Sequence, residues 1–114
     1  MRIQRNSDIA KARNVCRTMI LSQRLPLALC ARGVAAITSL GELILLSSLT
    51  GTLEVRIIPQ NGKQGVELRC IIPLNGGQPL TMDTTQGQLA RAVDSLDIYN
   101  NDQQIVIVSH LWAL

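Results

Sequence analysis

The stretch AAITSLGELILLSSLTGTLEVRII (residues 35–58) contains the change of hydrophobic period that decides the fold. Its first half belongs to a segment that is apolar nearly all round, which predicts a helix over residues 27–48 that is buried on most sides. Thr50 and Gly51 break this helix. Residues 52–58 alternate apolar and polar side chains, which predicts a strand with one wet face.

The residues before this junction predict a short edge strand and a first helix. The strand falls within residues 1–6. Ser7 is the predicted N-cap, and Asp8 lies in the first turn, where the helix dipole favours a carboxylate. The helix should end near Ser22, because Pro26 limits its length. Its apolar stripe, widened by Val15, is Ile9, Ala12, Cys16, Met19 and Ile20.

The residues after the junction predict two hairpins and a third helix. An Asn-Gly turn at residues 61–62 joins the first strand to a returning strand that ends at Pro73. Residues 74–88 read as a loop, and a short helix follows over about residues 85–96. The chain closes with a hairpin that turns at residues 100–102.

The predicted order of elements is β-α-α-β-β-α-β-β in a single domain over residues 1–114. We expect an α/β (α+β) fold: a two-layer sandwich of one mixed β-sheet with three helices on one face. The predicted core comprises Leu29, Val34, Ile37, Ile44, Val55, Ile57, Leu68, Cys70, Val93 and Val106.

Cysteine usage and hydropathy indicate a cytoplasmic protein. The cysteines are three in number and lack C-x-x-C spacing, so neither a zinc site nor a disulfide framework is predicted. The charged N-terminus does not resemble a signal peptide. Arg32 and Glu42 interrupt the long apolar tract, and neither uncharged run reaches the roughly 18 residues of a spanning helix. A buried helix is predicted instead.

Five segments carry a resemblance to a known family. In chain order they are SDIAKARNVCR, AAITSLGELI, TGTLEVRII, GVELRC and QLARAVDSLDIYNNDQQIVIVSHLW. Together they resemble the opening helix, motif helix, two strands and closing helix and hairpin of the GHKL ATPase superfamily. The resemblance is to its anti-sigma-factor and stress-switch serine kinase branch. It spans nearly the whole chain and implies a histidine-kinase-like ATPase domain.

The catalytic box of that family is altered in this sequence. The family has a Glu that assists catalysis and, four residues later, an Asn that holds magnesium; the matching positions here are Ser39 and Leu43. Glu42 comes one residue before Leu43, so its side chain points about 100° away from that of Leu43 on a helix. Leucine cannot ligate a hard cation, which requires oxygen donors.

The two nucleotide-binding boxes are altered as well. An Asp that reads adenine in the family is replaced by Ile71 or Ile72, and residues 75–77 keep a flexible loop without a carboxylate. The remnants of the phosphate lid are Thr84, Thr85 and Gly87. We therefore expect a degenerate member with no catalytic residue, metal or cofactor.

Basic residues are concentrated in the first helix and its flanks. The net charge is +3, yet basic groups far outnumber acidic ones over residues 1–24 and the remainder is slightly acidic. Arg13 and Arg17 are four residues apart, so they project together and suit carboxylates. An ordinary solvated face is the alternative. The predicted partner-binding residues are Lys11, Arg13, Arg17 and Arg24.

These patterns predict a non-catalytic, protein-binding regulator of bacterial signalling or transcription. A sigma factor or an antagonist (STAS-like) domain is the partner that the resemblance implies, and a homodimer is left open. One alternative is an active ATP-dependent serine kinase or anti-sigma factor. The other is a small nucleic-acid-binding regulator, which the modest charge and scarce aromatics disfavour. His110 is expected to be structural or exposed, and Ser39 and Ser48 are not expected to be nucleophiles.

Overall fold

The computed structural model of the chain describes residues 1–46, 50–60, 62–73, 83–100 and 103–113. Its elements in chain order are β1 (Arg2–Ile3), α1 (Asn6–Ser22), α2 (Leu27–Leu46), β2 (Gly51–Gln60), β3 (Lys63–Pro73), α3 (Asp83–Ala92), β4 (Ser95–Asn100) and β5 (Gln104–Trp112). This confirms the predicted α+β class and the predicted order of elements.

The five strands form one sheet in the order β1-β2-β3-β5-β4. Every pair of neighbouring strands in the described residues is antiparallel, so the prediction of a mixed sheet was wrong. The chain reverses in the hairpins β2–β3 and β4–β5, which makes those pairs antiparallel. The strand β5 then lies between β3 and β4, and it runs opposite to both of them.

The helices cover one face of this sheet. α1 packs on β1 and β2, α2 packs on β1, β3 and β5, and α3 packs on α2. Strand β3 shows the alternation that divides the two faces. Its helix-facing residues are completely buried, namely Val66, Leu68, Cys70 and Ile72.

Glycines in α2 allow the two long helices to approach closely. A Cβ atom added at Gly41 would lie 2.6 Å from Cγ1 of Ile9, and one added at Gly33 would lie 2.9 Å from Sγ of Cys16. Both distances are shorter than ordinary van der Waals contact. Side chains at these two positions would therefore push α1 away from α2.

The start of α1 differs from the prediction. The N-cap is Arg5, and not Ser7, and the carboxylate of Asp8 in the first turn reaches back to the backbone N–H of this N-cap residue. Oδ2 of Asp8 accepts hydrogen bonds from the backbone N–H groups of Gln4 at 2.9 Å and Arg5 at 3.1 Å. These bonds hold the pKa of Asp8 below its ordinary value. The prediction that Val15 widens the apolar stripe was also wrong, since it is 40% exposed.

The third helix ends earlier than predicted. After Ala92 the backbone N–H of Asp94 donates to the carbonyl of His110 at 2.8 Å, and the chain enters β4 at Ser95. Leu96 is therefore a strand residue and packs only partly against the core. The predicted loop also gives way to α3 from Asp83 onward. Ser48, residues 74–82 and residues 101–102 lie outside the described residues.

Six of the predicted core residues are buried, and Val55 and Ile57 are partly buried against the core. Val34 is half-buried. Val106 was assigned to the core wrongly, because its register partner is Ile71, on the face of β3 that points away from the helices. The six buried residues are Leu29, Ile37, Ile44, Leu68, Cys70 and Val93.

Candidate interaction surface

The positions that match the family's catalytic box, Ser39 and Leu43, are four residues apart on one side of α2 and differ in burial. Leu43 is 2% exposed and belongs to the hydrophobic core, whereas Glu42 is exposed and Ser39 is half-buried. Side chains of the core cannot reach a ligand in solvent. Ile72, at the adenine-reading position, is also fully buried, and Ile71 is half-buried. The side chains of Leu43, Ile71 and Ile72 therefore offer no oxygen to magnesium or to a base, and Ser39 contributes only a hydroxyl.

The structure describes only some of the other positions expected to contact a nucleotide. Gly87 is exposed in α3. Residues 75–77 and the side chains of Thr84 and Thr85 lie outside the described part of the chain. Within the described ranges, no group of three or more His, Cys, Asp or Glu side chains could hold a metal ion.

The predicted basic set divides between two sides of α1. Arg13 and Arg17 lie on one side, since four residues turn a helix through little more than one revolution. Lys11 is two residues from Arg13, so it projects about 200° away from it. It lines a groove of about 480 Å³ together with Met1, Arg2, Asp8, Asn14 and Val15. Lys11 therefore does not share a surface with the two arginines.

The turn after α1 brings Arg24 to the surface in an unusual conformation. The N–H of Leu25 donates to the carbonyl of Ile20 at 3.1 Å, and the N–H of Arg24 donates to that of Leu21 at 3.0 Å. This is the hydrogen-bond pattern of a Schellman motif, in which glycine usually occupies the left-handed position. Arg24 occupies it here with a φ of 55°. An arginine at this position costs backbone strain, and strain of this kind clusters at functional sites.

This conformation gives a stability prediction. Arg24→Gly is expected to raise the free energy of unfolding by about 0.5–1 kcal/mol, because the relief of left-handed strain exceeds the entropic cost of glycine. Urea denaturation measures the difference. Arg24→Ala is the matched control: it removes the same charge but keeps a Cβ atom, so it should bring no gain. A destabilised Arg24→Gly protein would contradict this account of the turn.

Exposed leucines accompany these arginines. Leu21 is four residues beyond Arg17 on the same side of α1 and is 46% exposed, and Leu27, just after the turn, is 73% exposed. Arg17 makes a side-chain hydrogen bond to Asn14 at 3.1 Å, and no described salt bridge involves Arg13, Arg17 or Arg24. We call the residues Arg13, Arg17, Leu21, Arg24 and Leu27 the basic strip.

The positive charge of the basic strip is uncompensated along the chain. No acidic residue occurs between Asp8 and Glu42. Arg32, within the same interval, is already engaged: its Nη2 lies 2.9 Å from Oδ1 of Asp94, and its Nε donates to the carbonyl of Ala92 at 3.1 Å. The strip therefore presents positive charge and apolar surface side by side.

The bond partners of Asp94 tie three elements together. Its Oδ2 accepts a hydrogen bond from the backbone N–H of Trp112 at 2.7 Å, in addition to the Arg32 contact. Burial alone would raise the pKa of Asp94, but the hydrogen bonds from Trp112 and Arg32 outweigh burial and lower it. This ion pair joins α2 to the end of α3 and to β5. We assign it a structural role.

A polar row that the sequence analysis missed crosses four strands. Oγ of Ser95 lies 3.1 Å from Nδ1 of His110, and Nε2 of His110 lies 3.2 Å from Oε1 of Glu67. Nε of Arg56 donates to Oε2 of Glu67 at 3.0 Å. Glu67 is only 8% exposed. Burial would raise its pKa, yet the hydrogen bonds from Arg56 and His110 lower it.

The row has the residue types of a Ser-His-Glu relay, but its setting favours a structural role. Ser95 begins an edge strand, and each member faces its register partner on the neighbouring strand. Acyl transfer also requires donors aimed at an oxyanion, commonly on a strained strand-to-helix turn. Here the second carboxylate oxygen of Glu67 is held by Arg56. The row provides hydrogen-bond partners for the buried carboxylate of Glu67, and it stabilises the register of the strands.

Helix α2 is long and apolar enough to cross a membrane, with 20 residues and a mean hydropathy of 1.7. Half of this span is buried inside the protein, where it packs on α1, α3 and the sheet. That packing is typical of the central helix of a globular domain. The prediction of a buried helix is thus supported by its contacts.

A comparison with models of known protein families finds no match for this sequence, and a comparison with curated proteins finds none either.

Proposed function

We propose that this chain is a non-catalytic, cytoplasmic regulatory module that binds an acidic protein partner through the basic strip. The observation that carries the proposal is the combination of uncompensated arginines with two exposed leucines, one near the end of the first helix and one at the start of the second. Arginine and large apolar side chains concentrate the binding energy of protein interfaces. Carboxylates of a partner would meet the guanidinium groups, and apolar side chains would cover the leucines.

We further propose that the module is a degenerate relative of the GHKL anti-sigma factors and serine kinases. The β-α-α-β-β-α-β-β order of elements supports this proposal. On this view, the partner is a sigma factor or an antagonist domain. Loss of the nucleotide site would leave binding intact, because the basic strip lies on α1 and the turn after it, whereas the altered Leu43 position lies in the hydrophobic core.

The test uses purified proteins encoded by the genes that neighbour this one. Biolayer interferometry should find a partner that binds with a dissociation constant in the micromolar range or tighter. Its affinity should be the same with and without Mg-ATP, and no phosphate should be transferred to it. A partner that binds only with Mg-ATP, or becomes phosphorylated, would favour the active-kinase alternative.

A direct nucleotide measurement gives a second prediction. Calorimetry with Mg-ATP is expected to show no specific binding, because Leu43 is buried where a magnesium ligand would be needed. A dissociation constant at or below the micromolar range, about −8 kcal/mol, would contradict the prediction. The nucleic-acid alternative is checked separately with a DNA duplex, for which a steep decrease of affinity with salt would be the positive result.

A further inference from the structure

We infer that the sheet face opposite the helices is covered by a second copy of the chain. We call this the outer face. It lies on the other side of the sheet from α1, so this inference is independent of the proposed partner binding. Four properties of the face support it: its aromatic residues, the apolar pattern of β5, its nearly balanced charge and its size.

The register of the sheet shows which residues share the outer face. Val66 and Leu68 of β3 point to the helices, so Glu67 and its neighbours Arg69 and Ile71 alternate onto the outer face. The residues paired with them on the neighbouring strands lie on the same face of the sheet. The outer residues of β5 and β4 are thereby Gln104, Val106, Val108, His110, Trp112, Ser95, Asp97 and Tyr99.

Trp112 and Tyr99 both lie on the outer face. The sequence contains one Trp, one Tyr and no Phe, so the hydrophobic core contains none of these aromatic residues. Trp112 stacks on His110 with ring centroids 6.0 Å apart and planes inclined by 16°. A Cβ atom at Gly65 would lie 2.5 Å from Cε3 of Trp112, which indicates that the indole lies against the strand. Tyr99 is 59% exposed. Aromatic residues are enriched at protein interfaces.

Strand β5 carries several apolar residues on each of its faces. Ile105, Ile107 and Leu111 are buried beneath the helices, and Val106, Val108 and Trp112 lie on the outer face. An antiparallel sheet with one covered face normally alternates apolar and polar residues. A central strand with several apolar residues on each side is typical of a sheet that is covered twice.

The charge of the outer face indicates that the molecule covering it is a second copy of the same chain. The four basic and three acidic residues of the face nearly balance, and both of its glutamates face an arginine across β2 and β3, so the face has little net preference for a charged partner. A two-fold dimer requires a surface that complements itself. The basic strip cannot do so, because it would oppose like charges. The charged residues of the outer face are Arg2, Arg56, Lys63, Arg69, Glu54, Glu67 and Asp97.

The size of the face reaches the lower end of the range for stable dimer interfaces. Five strands about 4.8 Å apart, the longest about 36 Å in length, give a face of roughly 600 Å² once the shorter edge strands are allowed for. Stable interfaces bury about 600–1,000 Å² on each partner. Two such faces would stack as a sandwich about 10 Å apart, with Trp112 and Tyr99 enclosed.

The experiment combines sedimentation with tryptophan fluorescence. We expect the chain to sediment as a dimer at high concentration and to dissociate on dilution. Because Trp112 is the single tryptophan, its emission should shift to longer wavelength in parallel. A protein that stays monomeric at every concentration would overturn the inference, as would a dimer whose tryptophan emission does not change when it dissociates.

Two variants place the interface. Val106→Arg is expected to weaken dimerisation at least a hundredfold, and Tyr99→Glu serves the same purpose at a position exposed enough to leave folding unaffected. Val15→Arg is the matched control: it puts the same charge on an exposed valine outside the face and should leave the dimer intact. Circular dichroism confirms that each variant folds. A dimer that survives both Val106→Arg and Tyr99→Glu, or that Val15→Arg dissociates, would refute an outer-face interface.

Discussion

Leu43→Asn is expected to destabilise the protein by about 4 kcal/mol, and not to create a magnesium site. The substitution introduces the family's metal-ligating Asn at its matching position in α2. Leu43 is 2% exposed within the core, however, so the variant removes a buried aliphatic side chain and leaves an amide among apolar neighbours. The loss is a large fraction of the 5–15 kcal/mol by which domains are usually stable.

Urea denaturation measures this loss, and calorimetry with Mg-ATP measures any gain of binding. Ser39→Glu is the control on the same helix, because Ser39 is half-buried and can direct a carboxylate toward solvent. It should change stability far less. A double variant of Ser39→Glu and Leu43→Asn that stays folded and binds Mg-ATP would contradict the assignment of Leu43 to the core. It would show instead that a nucleotide pocket persists at this helix.

Local periodicity was sufficient to predict most of the fold. The switch from helical to alternating spacing located α2 and β2, and the Asn-Gly turn located the first hairpin. That turn has a consequence for the polar row as well. Pairing of Gln60 with Lys63 fixes the whole register of β2 and β3, and it therefore sets Arg56 opposite Glu67. This half of the row could have been predicted from the sequence.

The rest of the row could not be predicted, because it depends on pairing between distant parts of the chain. Glu67 meets His110 only because β5 inserts between β3 and β4 in a particular register. No local pattern fixes that choice. The same uncertainty explains the misassignment of Val106, whose strand has apolar residues on both sides and gives no periodic signal for its buried face.

The candidate surface was predicted only in part for a similar reason. Sequence spacing brought Arg13 and Arg17 together, and the same spacing separates them from Lys11, which the sequence analysis wrongly placed in the same set. The sequence did not show that Arg24 adopts a left-handed conformation, since glycine is the usual signal for that position and is missing here. The exposure of Leu21 and Leu27 depends on how α1 and α2 pack, which only the three-dimensional structure supplies.

The charge-reversal variant Arg13→Glu/Arg17→Glu is expected to weaken binding to the protein partner at least about a hundredfold. Both side chains project from the same side of α1, so the variant sets two negative charges against an acidic surface. Like charges in an interface cost several kcal/mol, whereas a substitution at an exposed position such as Arg17 usually changes stability by only about 0.5 kcal/mol. Arg13 is half-buried, so the effect of its replacement on stability is measured as well. Affinity and thermal unfolding of the same preparations separate the two effects.

A matched control decides whether location or net charge is responsible. Lys11→Glu/Arg91→Glu makes the same change in net charge at exposed positions outside the basic strip. It should leave affinity nearly unchanged apart from a slower association at low salt, because rim and remote charges act mainly on the encounter rate. Equal losses of affinity in both variants would mean that the basic strip contributes only a general electrostatic attraction. Normal binding by Arg13→Glu/Arg17→Glu would mean that the arginines are only a solvated face, and that the partner docks on another part of the molecule.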